Sequence, residues 1–351
     1  MSKILLMNAI SFGYQKYLES ELMRPGNEVI DIDFPQLLPK EERNFLDNFC
    51  RFVSHDLKIF KGLYEARRER YYNKKFKEKM DLLRESEVLI VTVPYNLNIY
   101  YLEKIKREIP TLKVVALYLD SIATSKEINY VESTKNLYDL TISFDKYESE
   151  KFNLIYIPSF YIDIFNYTGE EKDIDIFFVG VLALRWERLK MCVDTLRFCK
   201  MNGLNGYLKL LLPSDKKHPF YEKIEKEILN GQISRDELDE ITLKCSLTVE
   251  ECATLMKRSK VAIEIIKEHQ TAPTLRTFEA LASETKLITN NEYIKDFDFY
   301  NEKNIKIIEN DKCVLEKSFF TEKYERYDTI AVEKYSINSY INHVFKRVRN
   351  L

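Results

Sequence analysis

At 351 residues, with 45% hydrophobic and 31% charged side chains, the sequence has globular composition and enough length for two ordinary cores. A formal net charge of −2 gives no global attraction for nucleic acid, so any basic surface has to be local. No apolar run approaches the roughly eighteen residues of a membrane span, and the first residues read as a strand rather than a secretion signal, so a cytoplasmic chain is expected.

From the start, Lys3–Met7 and Glu28–Ile32 are strand-like. A helical insertion follows over about 41–85, with Phe45, Phe49, Phe52, Ile59 and Leu63 spaced near three and four. Its second part, Asp56 to Lys79, carries nine Lys/Arg against four Asp/Glu, interleaved with Phe60, Tyr64, Tyr71, Tyr72 and Phe76. That pattern suits either a solvated helix face or peripheral contact with anionic lipid through Lys58–Lys79. Strands then recur at Val88–Val93, Lys113–Leu119, Leu140–Phe144 and Leu154–Ile157, mostly as continuous apolar runs that suit burial on both faces. Asn166–Asp173 is polar and reads as a boundary. The pattern restarts at Ile174–Val179 and continues through Leu208–Leu212, Val261–Ile266, Lys286–Thr289 and Ile305–Ile308. Ile337–Val348 closes the chain as a helix. Short β-branched runs alternating with helices predict an α/β chain of two Rossmann-like parallel-sheet domains, 1–167 and 173–334, with 335–351 packing near their boundary. Such sheets bind ligands at the carboxyl ends of their strands, here in an expected cleft between the domains.

The six cysteines include no Cys-x-x-Cys pair, and Cys192/Cys199 and Cys245/Cys252, each seven apart, read as reduced thiols on buried helical stripes. The glycine-rich phosphate loops are missing: Asn8–Gly13, after the first strand, holds a single glycine, and no GxxxxGK[ST] occurs. This excludes an ordinary dinucleotide or P-loop site. Three Asp-x-Asp triplets occur, Asp31/Asp33, Asp173/Asp175 and Asp296/Asp298. Such a pair can hold a divalent ion on a diphosphate, but alternation along an acidic strand also produces it, and no metal site is assigned. The tract Gln270 to Ala282 follows a strand and opens a helix whose start is marked by Thr271 and Pro273. Free N–H groups there would suit a diphosphate. At about 100° per residue, Leu275, Phe278 and Ala282 face the core, while Arg276 and Glu279 flank its edge. The carboxylate could accept two ribose hydroxyls and the arginine could pair with phosphate; the same spacing also describes an ordinary i,i+3 surface pair.

Gln270 to Asn290 resembles the C-terminal signature of bacterial GT-B glycosyltransferases of the spore-maturation and lipopolysaccharide/capsule-biosynthesis kind, in which a Gln, a Thr-Leu-Arg, an aromatic-Glu-Ala and a Leu-Ile-Thr-Asn strand recur in this order. Asp173–Gly180, with Arg185 and Arg188 after it, is similar to the first strand and loop of that domain. Tyr118–Ser121 and Ser143–Tyr147 look like two matching N-domain strand ends. The resemblance implies a GT-B fold and transfer of a sugar from a nucleotide-diphosphate donor to a glycan or lipid-linked acceptor, as in surface polysaccharide synthesis. It implies Glu279 on the ribose, Arg185 and Arg276 on the diphosphate, and Gly180, Gln270 and Thr274 about the donor. No metal or other cofactor is implied, so a chelator should leave activity intact. The chain departs from the pattern at Ala282-Ser283-Glu284-Thr285, which lacks the usual αL glycine after the helix. It departs again at Thr271, where retaining members often carry a sugar-contacting glutamate.

Acceptor activation is expected at strand ends of the first domain. Asp120 leads, ending a buried strand, although it could equally cap the next helix; Asp145, Ser11 and His55 are further candidates. His269 adjoins the nucleotide tract and is the histidine placed to reach substrate. Two other readings are a sugar-nucleotide epimerase of the same fold and a non-catalytic nucleotide- or glycan-binding module.

Overall fold

The computed structural model describes residues 2–7, 13–35, 39, 42–56, 62–182, 186–213, 215, 217–266, 270–308 and 315–351. The chain divides into two compact units, Met1–Ile157 with Ile341–Leu351, and Pro158–Tyr340.

The first unit carries a parallel sheet of β1 (Lys3–Met7), β2 (Glu28–Asp31), β3 (Val88–Val91), β4 (Lys113–Tyr118), β5 (Leu140–Ser143) and β6 (Ile155–Tyr156), in the order β2-β1-β3-β4-β5-β6. Its helices are α1 (Gln15–Met23), α2 (Phe45–Arg51), α3 (Gly62–Glu78), α4 (Met80–Arg84), α5 (Ile99–Glu108), α6 (Ser125–Thr134) and α7 (Lys146–Phe152). Every residue of β3 is buried, which is why that strand is a continuous apolar run with no alternation; β5 is buried throughout as well, with Thr141 and Ser143 alternating with Leu140 and Ile142. Thr124 and Glu127 form a reciprocal capping box that starts α6. Register sets Tyr118 beside Ser143, so the carboxyl ends of β4 and β5 finish level.

In the second unit, β7 (Ile174–Val181), β8 (Gly206–Leu211), β9 (Thr242–Leu243), β10 (Ser259–Glu264), β11 (Lys286–Thr289) and β12 (Ile305–Ile307) order as β12-β11-β10-β7-β8-β9. The helices are α8 (Trp186–Asn202), α9 (Pro219–Leu229), α10 (Arg235–Ile241), α11 (Val249–Lys257), α12 (Leu275–Ala282), α13 (Lys317–Thr321) and α14 (Thr329–Glu333). The final helix, α15 (Ile337–Val348), contains the division between Tyr340 and Ile341. The expected α/β class with two parallel sheets is what the chain adopts, and among the described residues the one strand not anticipated is the two-residue β9.

The helical insertion is oriented differently from the sequence reading. Phe45, Phe49, Phe52 and Leu63 are 83%, 52%, 49% and 45% exposed, so they do not form its buried stripe. Tyr64, Tyr72 and Phe76, four and eight apart on α3, are buried instead. Tyr72 and Phe34 pack on Tyr101 with ring centroids 5.3 and 4.7 Å away. The larger aromatic area of that face wins the core, and the basic residues of α3 lie beside it: Arg67 pairs with Asp47, and Arg68 lies over Tyr64 and Tyr72.

Candidate functional site

In the second sheet the chain runs outward through β7, β8 and β9, then returns to start β10 on the other side of β7. The carboxyl ends of β7 and β10 therefore flank a topological switch point, where open α/β sheets bind ligands. Arg188, from the first turn of α8, ties these ends together: Nη1 donates to Val181 O at 2.8 Å and Nη2 to Ile265 O at 3.3 Å. Gly180, one residue before the end of β7, has no room for a side chain, since a Cβ would sit 2.9 Å from Phe178 Cζ. Arg276 Nη2 reaches Val179 O at 3.5 Å, its guanidinium lies 5.2 Å from the Phe177 ring centroid, and Nη1 is 3.3 Å from Glu279 Oε2. Arg276 and Glu279 thus meet beside β7, as their spacing suggested. Glu279 is only 3% exposed, however, so it is a buried carboxylate and not a rim one.

The organising group is Glu264, the last residue of β10. Its register partner on β11 is Thr289, whose hydroxyl donates to Oε2 at 2.9 Å. Oε1 accepts from the Thr274 amide at 3.1 Å, the Thr274 hydroxyl at 2.5 Å and the Thr277 hydroxyl at 2.9 Å. Burial raises the carboxyl above the usual range, and the three hydroxyls and the amide work against that rise. Sequence reasoning missed Glu264, although one acid inside an otherwise apolar strand run is itself a signal of a paired buried charge.

This carboxylate corrects the reading of the helix start. The helix begins at Leu275 with Thr274 as N-cap, later than Thr271 and Pro273 suggested. The Arg276 amide donates to Thr274 Oγ1 at 3.1 Å and the Thr277 amide to Thr274 O at 3.1 Å. The amides of Thr274, Arg276 and Thr277 are therefore engaged within the protein. The Thr274 hydroxyl is taken by its own helix and Glu264. Gln270 is buried and donates from Nε2 to Ala272 O at 2.8 Å, bracing the loop ahead of the cap. Arg185, His269, Ser11 and the side chain of His55 lie outside the described residues.

The far end of α12 resolves the absent glycine. Glu284 itself adopts the left-handed backbone, with φ at 49°. Lys172 covers the helix terminus, donating to Ser283 O at 2.7 Å and Thr285 Oγ1 at 2.9 Å. Its ammonium lies 4.8 Å from the Tyr167 ring centroid, and burial lowers its pKa to about 7. In each Asp-x-Asp triplet at least one aspartate has a structural partner: Asp173 with Arg258, Asp175 with Lys260, Asp31 with Gln15, and Asp298 with Tyr335 and Lys334. Among the described residues no group of three or more His, Cys, Asp or Glu is arranged to hold a metal. No described helix is long and apolar enough to cross a membrane.

In the first unit Asp120 is exposed just beyond β4, and its Oδ1 accepts the Ser121 amide at 2.9 Å. Asp145 is fully buried as the N-cap of α7, accepting the amides of Tyr147 and Glu148. Glu148, on the first turn of α7, was not singled out from sequence because an acid there is ordinary N-terminal chemistry. Its Oε1 accepts the Ile122 amide at 2.8 Å and Oε2 the Ser143 hydroxyl at 3.3 Å. Burial pushes its pKa up to about 7, with the charges of Asp145 and Asp120 adding to the rise and those two hydrogen bonds opposing it.

Two parallel-sheet units of this order, with a built switch point in the second, define the GT-B class of fold. The solved structures agree. Anabaena HepE in complex with UDP-glucose matches with a TM-score of 0.61 at 11% identity, over 100% of both chains. Sucrose-phosphate synthase from Thermosynechococcus elongatus matches at 0.62 and 11%, again over 100% of both. S. aureus MnaA with UDP matches at 0.51 and 12%, over 100% of this chain and 98% of that one. No family model matches the sequence, and no curated protein matches it.

Proposed function

We propose that the chain is a glycosyltransferase that moves a sugar from a uridine-diphosphate-type donor to a glycan or lipid-linked acceptor in bacterial surface polysaccharide synthesis. The observation that carries this is the switch point of the second sheet, where Gly180, Arg188, Arg276, Glu279 and the Glu264-braced loop converge on the carboxyl ends of β7 and β10. HepE and MnaA, which share the fold, hold UDP or UDP-glucose in their solved complexes. In this reading Glu279 takes the ribose hydroxyls, Arg276 and Arg185 meet the diphosphate, and Gln270 and Thr274 shape the loop. His269 completes the donor side. Asp120, at the carboxyl edge of the first sheet, faces the acceptor hydroxyl. Exposed Phe45, Leu46, Phe49 and Phe52 beside exposed Arg51 support an acceptor presented at an anionic lipid surface.

Calorimetric titration of UDP into the parent, Glu279→Gln and Asp120→Ala tests the assignment. Glu279→Gln keeps the buried volume and removes a charge-assisted bond of roughly 1.5–3 kcal/mol, so UDP should bind about ten- to a hundredfold more weakly. Asp120→Ala should bind UDP like the parent and lose transfer. Parent-like binding by Glu279→Gln would end the ribose assignment and leave an internal ion pair with Arg276.

A further inference from the structure

The loop after β4 gives consecutive backbone amides to two different carboxylates: Ser121 N–H to Asp120 and Ile122 N–H to Glu148. Ser121 itself is 3% exposed, and its hydroxyl has no hydrogen-bond partner among the described residues. The same loop therefore holds a buried, unpaired hydroxyl on the residue whose neighbouring amides meet the two acids, just past the level carboxyl ends of β4 and β5. Buried hydroxyls are normally satisfied, and one that is not calls for an occupant or a function.

We infer that Glu148 is the group that takes the proton from the acceptor hydroxyl, with Asp120 orienting that hydroxyl and Ser121 contributing a further polar contact. The inference rests on the transferase reading above. In the step, the acceptor oxygen forms its bond to the anomeric carbon and its proton passes to a Glu148 carboxylate oxygen. The bond from the anomeric carbon to the diphosphate breaks, and the nucleoside diphosphate leaves with the electron pair.

The position suits the task. Glu148 is half-buried and held by the Ile122 amide and the Ser143 hydroxyl, so its carboxyl plane is fixed from two neighbouring elements. Asp145 acts on it from the cap of its own helix and Asp120 from the loop after β4, while Glu148 in turn acts on the Tyr95 hydroxyl in the turn after β3. Glu127, at the start of α6, closes the same loop through the amides of Ala123 and Thr124. The Tyr95 hydroxyl is itself pushed up to about 12 by burial and by the charges of Asp120, Glu127 and Glu148, so it stays a donor. A proton acceptor is most effective when it titrates near the working pH, and burial, helped by the neighbouring charges of Asp145 and Asp120, is what brings this carboxyl there.

The test measures UDP release from UDP-glucose between about pH 5.5 and 8.5, with water and with octyl β-glucoside as acceptors. In the parent, kcat should rise with pH through an inflection near 7. Glu148→Gln, which retains an oxygen for the Ile122 amide, should lose the inflection and at least about a hundredfold in kcat. Its KM for UDP-glucose and its melting temperature at pH 6 should stay those of the parent. Asp120→Asn should move the inflection to lower pH, because it removes a charge that raises Glu148. A parent-like rate and pH profile in Glu148→Gln overturns the inference. So does a loss of rate accompanied by a weakened KM or a lowered melting temperature, which would make Glu148 a brace for the 121–124 loop. If the parent binds UDP yet releases none from UDP-glucose with either acceptor, the transferase reading has failed first, and this inference falls with it.

Discussion

Glu264 offers the sharpest contrast between two substitutions. It is fully buried and accepts three donors at Oε1 and one at Oε2. In Glu264→Gln the amide oxygen can occupy the Oε1 position and keep all three. The new NH2 then faces the Thr289 hydroxyl, which already accepts the Asn291 amide at 3.1 Å and can accept again. The contact with Thr289 is kept with its direction reversed, leaving only the Thr289 O–H without its former acceptor, and the buried negative charge is removed. Glu264→Ala, by contrast, leaves the Thr274 amide and three hydroxyls without their acceptor above an unfilled space. Losing one member of such a buried network costs about 3–5 kcal/mol. At about 2–4 °C per kcal/mol for a domain of this size, the midpoint should fall by roughly 10 °C. Glu264→Gln should stay within about 1 kcal/mol of the parent. The pH dependence separates them further. Because the folded carboxyl lies above its unfolded value, the stability it contributes is full below the ordinary pKa of about 4.3 and declines as pH rises through the elevated value. The Gln variant should lack that decline, and so gain on the parent as pH rises. Differential scanning calorimetry of the three proteins at pH 4.5 and pH 8 makes the comparison. If Glu264→Gln melts as low as Glu264→Ala, the charge itself holds the loop and the hydrogen-bond account is wrong.

Gly180→Ala would force a methyl against Phe178 Cζ at 2.9 Å; because the obstacle is a packed ring, about 1–3 kcal/mol of stability should be lost, read as a lower melting temperature. Glu284→Gly relieves a left-handed backbone at φ 49° and gives up an ion pair with Arg326 that is largely exposed; a net gain of about 0.5–1 kcal/mol is expected, and a loss would show that the Arg326 pair matters more than the strain. Since at least one aspartate of each Asp-x-Asp triplet has a structural partner, UDP release from UDP-glucose should persist in excess EDTA; abolition by chelator and rescue by a divalent ion would reverse this.

The layout of the sheets was legible because a strand buried on both faces has no choice of composition. Val88-Leu89-Ile90-Val91 could hardly be anything other than an inner strand, and it is one. The Arg276–Glu279 pairing was equally legible, since i,i+3 spacing fixes it. What the sequence hid were relations carried by register and by competition. Glu264 meets Thr289 only because β10 and β11 pair in that register, and no local pattern joins residues 25 apart. The same contact explains why the start of α12 was misread. A helix N-terminus attracts an anion, and from sequence the anion was assumed to be a ligand. The protein supplies its own at the end of the preceding strand, and Thr274 turns inward to cap the helix against it. Competition also decided the insertion. Two apolar stripes were available on its helices, and Tyr64, Tyr72 and Phe76 took the core because Tyr101 and Phe34 offered aromatic partners. Phe45, Phe49 and Phe52 were left outside as a consequence. Glu148 belongs with these cases. Its position in the first turn of a helix looks ordinary, and its raised pKa comes first from burial, with the charges of Asp145 and Asp120 adding to it; that burial, and the Ile122 amide and Ser143 hydroxyl that hold the carboxylate, come from other elements. The residues that matter most at both strand-end sites are therefore those whose surroundings come from elsewhere in the chain.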